Sequence, residues 1–246
     1  MTSSATRRGL VFGSAAESYE RFRLGYPDEV VDRTLAYADR PVDSAVEIGA
    51  GTGKATRAFA SRGIHVTALE PDADMFAVLC REVAAMPVSP VRTSLEEYDG
   101  PPVGLVYAAA SLHWTEPATR WTTIADLLDD DGTVAVFGAA MELADDDVRA
   151  SFEAARNTAL ADDNYPHEPL DGIEASGRFV DITHDVLPRT VVVPQKEFVG
   201  YLSTVSAYLL MPLDERQHLL HRIASALPEQ VAMDVTVSLH LARLAR

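Results

Sequence analysis

Three glycines and two carboxylates have the clearest chemistry in this chain. Gly49, Gly51 and Gly53 lie in Val46-Glu47-Ile48-Gly49-Ala50-Gly51-Thr52-Gly53-Lys54. Glycines so spaced let the backbone adopt φ > 0 and let a ligand approach main-chain N–H groups. Glu47, two residues before the first glycine, offers a negative partner to a cationic ligand. Glu70, followed by Pro71, can accept hydrogen bonds from both hydroxyls of a ribose. His113 is a candidate proton acceptor, and Trp114 beside it a candidate wall. The glycine run is not a phosphate loop, because Lys54 is followed by Ala55 rather than Ser or Thr. His218 and His221 share one helix face, but no carboxylate or Cys completes a metal site, so no metal is expected. The single cysteine, Cys80, cannot form an internal disulfide and reads as core packing. No Ser-His-Asp order with a nucleophile elbow points to a hydrolase.

These residues need elements to position them. Ser44–Ile48 is a strand run, and the glycines join it to a helix over 54–62 with Gly63 as its C-cap. A second strand, 65–69, ends at Glu70-Pro71, and Asp72 can cap a helix over 73–85. Short strands at 91–93 and 103–109, a helix over 118–128, an Asp131-Gly132 turn and a strand at 133–137 follow. Strands alternating with helices mean βαβ units and a parallel sheet. Its ligands bind at the carboxyl ends of the strands, which is where the glycine loop, Glu70 and 109–114 fall. Two helical pieces between Ala15 and Tyr37 precede this region, broken at Gly25-Tyr26-Pro27. Beyond Gly138 come a helix over 146–160, a β-rich stretch 180–193 interrupted by Pro188, helices over 197–206 and 214–226, and a last strand over 231–241. Three segments are expected: 1–138 with the N-terminal helices and cofactor core, 139–178 as an acidic cap inserted after strand 5, and 179–246 completing the sheet.

The acid-x-Gly-x-Gly-x-Gly pattern at Glu47–Gly53 resembles the first motif of class I S-adenosylmethionine (SAM) methyltransferases. SAM carries a sulfonium and an ammonium against one carboxylate and has no pyrophosphate, so an acid suits it and a basic cradle is unnecessary. A dinucleotide site wants its third glycine at position 54, which is Lys here. Tyr19, Arg23 and Tyr26-Pro27 resemble the leader of the trans-aconitate methyltransferase-like branch, which folds over the methionine end of SAM. Thr204–Tyr208 is similar to a stretch of the same branch. The resemblance implies a Rossmann-like, seven-stranded, mostly parallel α/β sheet with helices on both faces. It places Tyr19, Arg23, Glu47, Gly49, Ala50, Gly51, Glu70, Pro71, Met75, Ser94, Leu95, Glu96 and Ala109 at the cofactor. His113 would be the catalytic candidate, and Trp114, His167, Tyr201 and Tyr208 would face the acceptor. The sequence departs from the branch at Leu24, where a Pro is usual, at Val103-Gly104-Leu105, which lacks an opening Asp, and at Asp131-Gly132 in place of Gly-Gly.

Charge narrows the partners. The 246 residues hold 21 Lys+Arg against 37 Asp+Glu, a net charge of −16. Attraction to nucleic acid or to anionic lipid is not expected. Residues 121–190 hold 16 of the acids and only four bases, Arg149, Arg156, Arg178 and Arg189. An anionic acceptor would need such an arginine. No apolar run is long enough for a membrane span and no signal peptide is evident, so a cytoplasmic enzyme with a small-molecule acceptor is expected. Oligomeric state is not legible. A non-catalytic SAM-binding or regulatory protein, an NAD-type oxidoreductase and non-methylating SAM chemistry are the alternatives.

Overall fold

The order of the strands follows from how the first half of the chain alternates apolar runs with amphipathic helices. The structure is a computed structural model and describes residues 15–156 and 170–246. Strands β1 (Ser44–Ile48), β2 (His65–Leu69), β3 (Val88–Val91), β4 (Val103–Ala109), β5 (Leu128–Leu143), β6 (Phe179–Pro194) and β7 (Gln230–Leu244) form one sheet in the order β3-β2-β1-β4-β5-β7-β6. The pairs β1–β2, β1–β4, β2–β3 and β4–β5 are parallel. The sheet is nevertheless mixed. The Ala245 N–H donates to Arg178 O, Thr190 meets Asp234, and the Gln195 N–H donates to Glu229 O. Partner numbers therefore fall on β7 as they rise toward the end of β6, and β7 runs antiparallel to β6.

By contact, the described residues fall into two units. One holds the residues up to Leu24, 139–156 and 188–236; the other holds 25–138, 170–187 and 237–246. The second unit has two cores. Phe59, Leu79, Leu105, Tyr107 and Phe137 lead one, and Val46, Ile48, Leu69, Ile124 and Val136 lead the other. β4 is buried along most of its length, as a central parallel strand should be. The first unit has a core of its own around Phe198, Leu202, Leu219, Ile223, Val231 and Met233.

Several elements differ from expectation for local reasons. The third strand lies at Val88–Val91 and contains Pro90. It is an edge strand, where a residue without an N–H is tolerated. β6 is the other edge and carries Pro188 in the same way. Asp131-Gly132 does not end a loop before a short strand. Asp131 adopts φ 60° inside β5, and the register jumps from Val103↔Leu128 to Leu105↔Thr133, so the turn residues form a bulge. β5 also continues through Leu143, past the expected boundary at 138. The helix expected over 146–160 is described as Asp146–Arg156.

Candidate functional site

The glycine loop leaves β1 and is tied to β2 by the Ala50 N–H, which donates to Leu69 O at 2.8 Å. Each glycine has a different reason. Gly49 has φ +64°, and a Cβ there would lie 2.7 Å from Ser111 Cβ. Gly53, at φ +88°, begins the helix Lys54–Ala60; its Cβ would lie 2.7 Å from Leu79 Cδ1, so it permits close approach of the helix Ala73–Glu82. Gly51 also has positive φ, +58°, but no protein atom lies within 4 Å of where its Cβ would stand. Two glycines answer to packing, and the middle one opens on space.

Glu70 holds the loop from the end of β2. One carboxylate oxygen accepts from the Gly51 N–H at 2.7 Å and the other from the Asp72 N–H at 2.8 Å. Asp72 in turn caps the next helix through the Asp74 and Met75 N–H groups, each at 2.9 Å. Burial pushes the Glu70 carboxyl up to about 7, against the lowering effect of its two backbone bonds. A carboxylate has about four lone-pair positions, so two bonds leave acceptor capacity for a ligand. Pro71 is exposed beside it, and Met75 is buried one turn into the helix.

Glu47 points inward. It is fully buried and accepts from Thr56 Oγ1 at 2.5 Å and Tyr107 OH at 3.1 Å. Tyr107 is stacked on Phe59 with ring centroids 4.2 Å apart. Burial pushes the Glu47 carboxyl up to about 8 despite both hydrogen bonds.

The end of β4 meets the same loop. Ala110 takes φ 55°, a conformation that costs a non-glycine residue ~1–2 kcal/mol. This turns the chain so that Ser111 Oγ donates to Ile48 O and fills the side-chain space of Gly49. Ser111 O then accepts from the Trp114 N–H, at 3.0 Å, in the short 3-10 turn Leu112–Trp114. The His113 ring lies 4.3 Å from the Trp114 ring. Burial, then the charge of Arg120, hold the His113 imidazole down to about 4, so it is neutral and weakly basic near pH 7. Arg120 is itself buried and donates to Thr115 Oγ1 and Thr115 O. Ala109 and Ser94 are half-buried, Leu95 is in the core, and exposed Glu96 accepts from the Glu116 N–H at 2.8 Å.

One unit thus brings together Glu47, Gly49, Ala50, Gly51, Glu70, Pro71, Met75, Ala109 and His113. Tyr19, Arg23, Tyr201 and Tyr208 belong to the other unit. There Arg23 lies over Tyr201 at 4.8 Å and over Tyr19 at 5.2 Å. Tyr208 is buried in that unit's core. His167 lies outside the described residues. Of the arginines in the acidic stretch, Arg149 pairs with Asp146, Arg178 pairs with Asp126 at 3.0 Å, and Arg156 lies over the Phe152 ring. Both His218 and His221 are exposed, and no metal-binding group of three or more ligands occurs among the described residues. Ser111, Thr56 and Tyr107 touch the loop or Glu47 and were not singled out from the sequence. No local pattern marks them, because each contact joins residues from different elements.

Residues 45–132 match a methyltransferase domain. The matched segment runs from β1 into the β5 bulge and so contains the glycine loop, Glu70 and His113. An uncharacterized methyltransferase of Mycobacterium bovis is 38% identical over 129 residues, covering 52% of this chain and 51% of that protein. The chain thus spans about half the length of the mycobacterial relatives it matches. A structure described as a type II methyltransferase from Anaeromyxobacter dehalogenans superposes with TM-score 0.66 at 21% identity, covering 90% of this chain and 98% of that one. A Haemonchus contortus phosphoethanolamine N-methyltransferase, solved with phosphomonomethylethanolamine and S-adenosylhomocysteine, gives TM-score 0.54 at 14% identity, over 92% and 57% of the two chains. These structures share the α/β fold of this chain. No helix among the described residues is long and apolar enough to cross a membrane.

Proposed function

We propose that this chain is a SAM-dependent methyltransferase that acts on a small molecule at a carboxylate or hydroxyl oxygen. The observation that carries the reading is Gly51. Its backbone is left-handed, its side-chain position faces no protein atom, and its N–H is fixed by Glu70. The neighbouring methyltransferases, one of them holding S-adenosylhomocysteine, support the same assignment.

When bound, SAM supplies a methyl group on a sulfonium for in-line displacement. The chain's own residues have simpler tasks. Glu70 presents its remaining lone pairs to the ribose, and Pro71, Met75 and Ser94–Glu96 flank the adenine. Ala50, Gly51 and Ala109 leave room for the body of the cofactor, and Glu47 lies beneath its cationic end. His113 and Trp114 border the reacting atoms. Alignment and exclusion of water account for most of the acceleration such a reaction needs. A neutral His113 held at about 4 is a poor general base for an amine or alcohol, which favours an acceptor that is already anionic. A carboxylate needs no proton removed. The trans-aconitate methyltransferase-like branch is the subgroup that fits this chemistry. The selection of the acceptor is assigned to the part of the chain beyond β5, in a cytoplasmic enzyme.

The test is transfer of labelled methyl from SAM to a panel of carboxylic acids, phenols and amines. Carboxylic acids are expected to be the preferred class. At saturating SAM their kcat/KM is expected to stay flat between pH 6 and 8, with no inflection near 6.5, where an ordinary histidine titrates. Transfer to amines alone, or to nothing in the presence of bound SAM, would overturn the reading.

A further inference from the structure

The turn Leu112–Trp114 is held from both sides. On its N-terminal side Ser111 Oγ donates to Ile48 O, which ties the turn to β1. On its C-terminal side the Thr115 N–H and Thr115 Oγ1 both donate to Leu112 O, at 3.1 and 2.7 Å. Thr115 is gripped in turn by Arg120, the first residue of the helix Arg120–Asp126. Arg120 Nε donates to Thr115 Oγ1 at 2.7 Å and Nη2 to Thr115 O at 2.9 Å. Ser111, Leu112, Thr115 and Arg120 are all buried, and all belong to one unit. Between the two anchors stand His113 and Trp114, with their rings 4.3 Å apart.

Local physics does not favour an arginine at this place. A cation in the first turn of a helix meets the positive end of the helix dipole. Burial disfavours the charge further and lowers the guanidinium from its ordinary value, although Asp171, Glu96 and Glu116 act in the opposite direction. A hydroxyl and a carbonyl oxygen can be satisfied by a neutral amide donor. Such a donor brings no positive charge, and a lysine brings no planar fork able to grip two oxygens at once. Arginine supplies both. Its charge reaches His113, where it acts together with burial in favour of the neutral imidazole.

We propose that Arg120 is a positioning residue of the candidate site: it clamps, through Thr115, the turn that presents His113 and Trp114, and it sets a fixed positive charge near the imidazole. Arg120 acts through Thr115 and His113 rather than on the reacting atoms. Its effect on catalysis rests on the methyl-transfer reading; the clamp and the charge do not.

The test is NMR of the histidine rings as pH is lowered from 8 to 5, with the His113 resonance assigned by its loss in His113→Asn. In wild type the imidazole is expected to stay neutral throughout. In Arg120→Met its midpoint is expected to rise by about one pH unit, so that protonation is visible by pH 5. Arg120→Gln, neutral but still a donor to Thr115, gives the charge readout independently. Arg120→Lys, which keeps the charge and loses the fork, is expected to leave His113 neutral over the same range. Methyl transfer is read with the acceptor that wild type uses best in the panel above. Arg120→Lys and Thr115→Val are each expected to lower kcat about tenfold, because misplaced groups around the reacting atoms cost rate. The KM for SAM is expected to stay within about threefold of wild type in both. A His113 that titrates identically in wild type, Arg120→Met and Arg120→Gln would overturn the proposal. So would wild-type kcat in Arg120→Lys and Thr115→Val with only a lowered melting temperature, which assigns the contact to stability alone. A raised His113 midpoint in Arg120→Met, in a protein that transfers no methyl group to any acceptor, would uphold the charge near His113 and defeat the methyl-transfer reading alone.

Discussion

Replacing Gly51 by alanine is expected to weaken cofactor binding at least tenfold while leaving the fold nearly intact, and replacing Gly49 by alanine is expected to damage the fold itself. The two glycines have almost the same backbone conformation, φ +58° and +64°. An alanine in that region costs ~1–2 kcal/mol whatever surrounds it. At Gly51 nothing else is lost, because no protein atom lies within 4 Å of the new Cβ. For a chain of this length the melting temperature should fall by only ~2–4 °C per kcal/mol. At Gly49 the new Cβ would lie 2.7 Å from Ser111 Cβ, which sits next to the backbone and cannot swing aside. Overpacking adds ~1–3 kcal/mol to the conformational cost. Calorimetry and titration with S-adenosylhomocysteine check the pair. Gly51→Ala should lose at least tenfold in affinity with a small change in melting temperature, and Gly49→Ala should melt at least twice as far below wild type as Gly51→Ala does. Unchanged affinity in Gly51→Ala would remove the cofactor from this loop.

Glu47→Gln is expected to change how stability depends on pH. The buried carboxyl titrates at about 8 in the folded protein, against 4.5 for an ordinary glutamate. Between those values the folded chain holds a proton that the unfolded chain releases. The favourable contribution of Glu47 is therefore complete below about pH 4.5 and is lost as pH rises through about 8. The slope is at most ~1.4 kcal/mol per pH unit. Glutamine keeps an oxygen for Thr56 and Tyr107 and does not titrate. The stability of the variant relative to wild type should rise by about 3 kcal/mol between pH 5 and pH 8, read from urea unfolding at each pH. Glu70, pushed up to about 7, contributes in the same direction to both proteins and cancels in the difference. A constant difference across this range would mean that Glu47 is ionised in the folded state at both ends. Should the cationic end of SAM lie over Glu47, as proposed, binding would release its proton, and affinity should rise more steeply from pH 6 to 8 in wild type than in Glu47→Gln, where Glu70 still titrates.

The parts of this architecture that were legible in the sequence are those governed by local physics. β1 and β2 have the expected bounds because each is an apolar run closed by a glycine or a charged residue, and β4 because its apolar run ends where Ala110 turns to positive φ. Asp72 caps its helix as its side-chain chemistry requires. What was hidden depended on neighbours distant in sequence. Pro90 and Pro188 sit in strands only because both strands are edges, and edge position is a property of the whole sheet. Asp131-Gly132 kept its turn geometry but became a bulge once β4 fixed the register on either side. The carboxyl-end residues were legible as a set, yet the reasons for individual glycines were not. That Gly49 answers to Ser111 and Gly53 to Leu79, while no protein atom lies within 4 Å of a Gly51 Cβ, requires three-dimensional contacts. The acidic stretch partly dissolves into ion pairs made by Arg40, Arg178, Arg246 and Arg33 with Asp129, Asp126, Asp131 and Asp185. Exposed pairs of this kind contribute little to stability and serve mainly to balance surface charge.

The central claim is that the glycine loop and Glu70 form a seat for SAM. Its most direct test is the melting temperature of wild type and of Glu70→Ala with S-adenosylhomocysteine and with NAD. At a ligand concentration 100-fold above Kd, binding to the folded state alone stabilises by ~2.7 kcal/mol. S-adenosylhomocysteine should raise the melting temperature of wild type by several degrees, Glu70→Ala should lose most of that rise, and NAD should move neither protein. Stabilisation of wild type by NAD and not by S-adenosylhomocysteine would contradict the account.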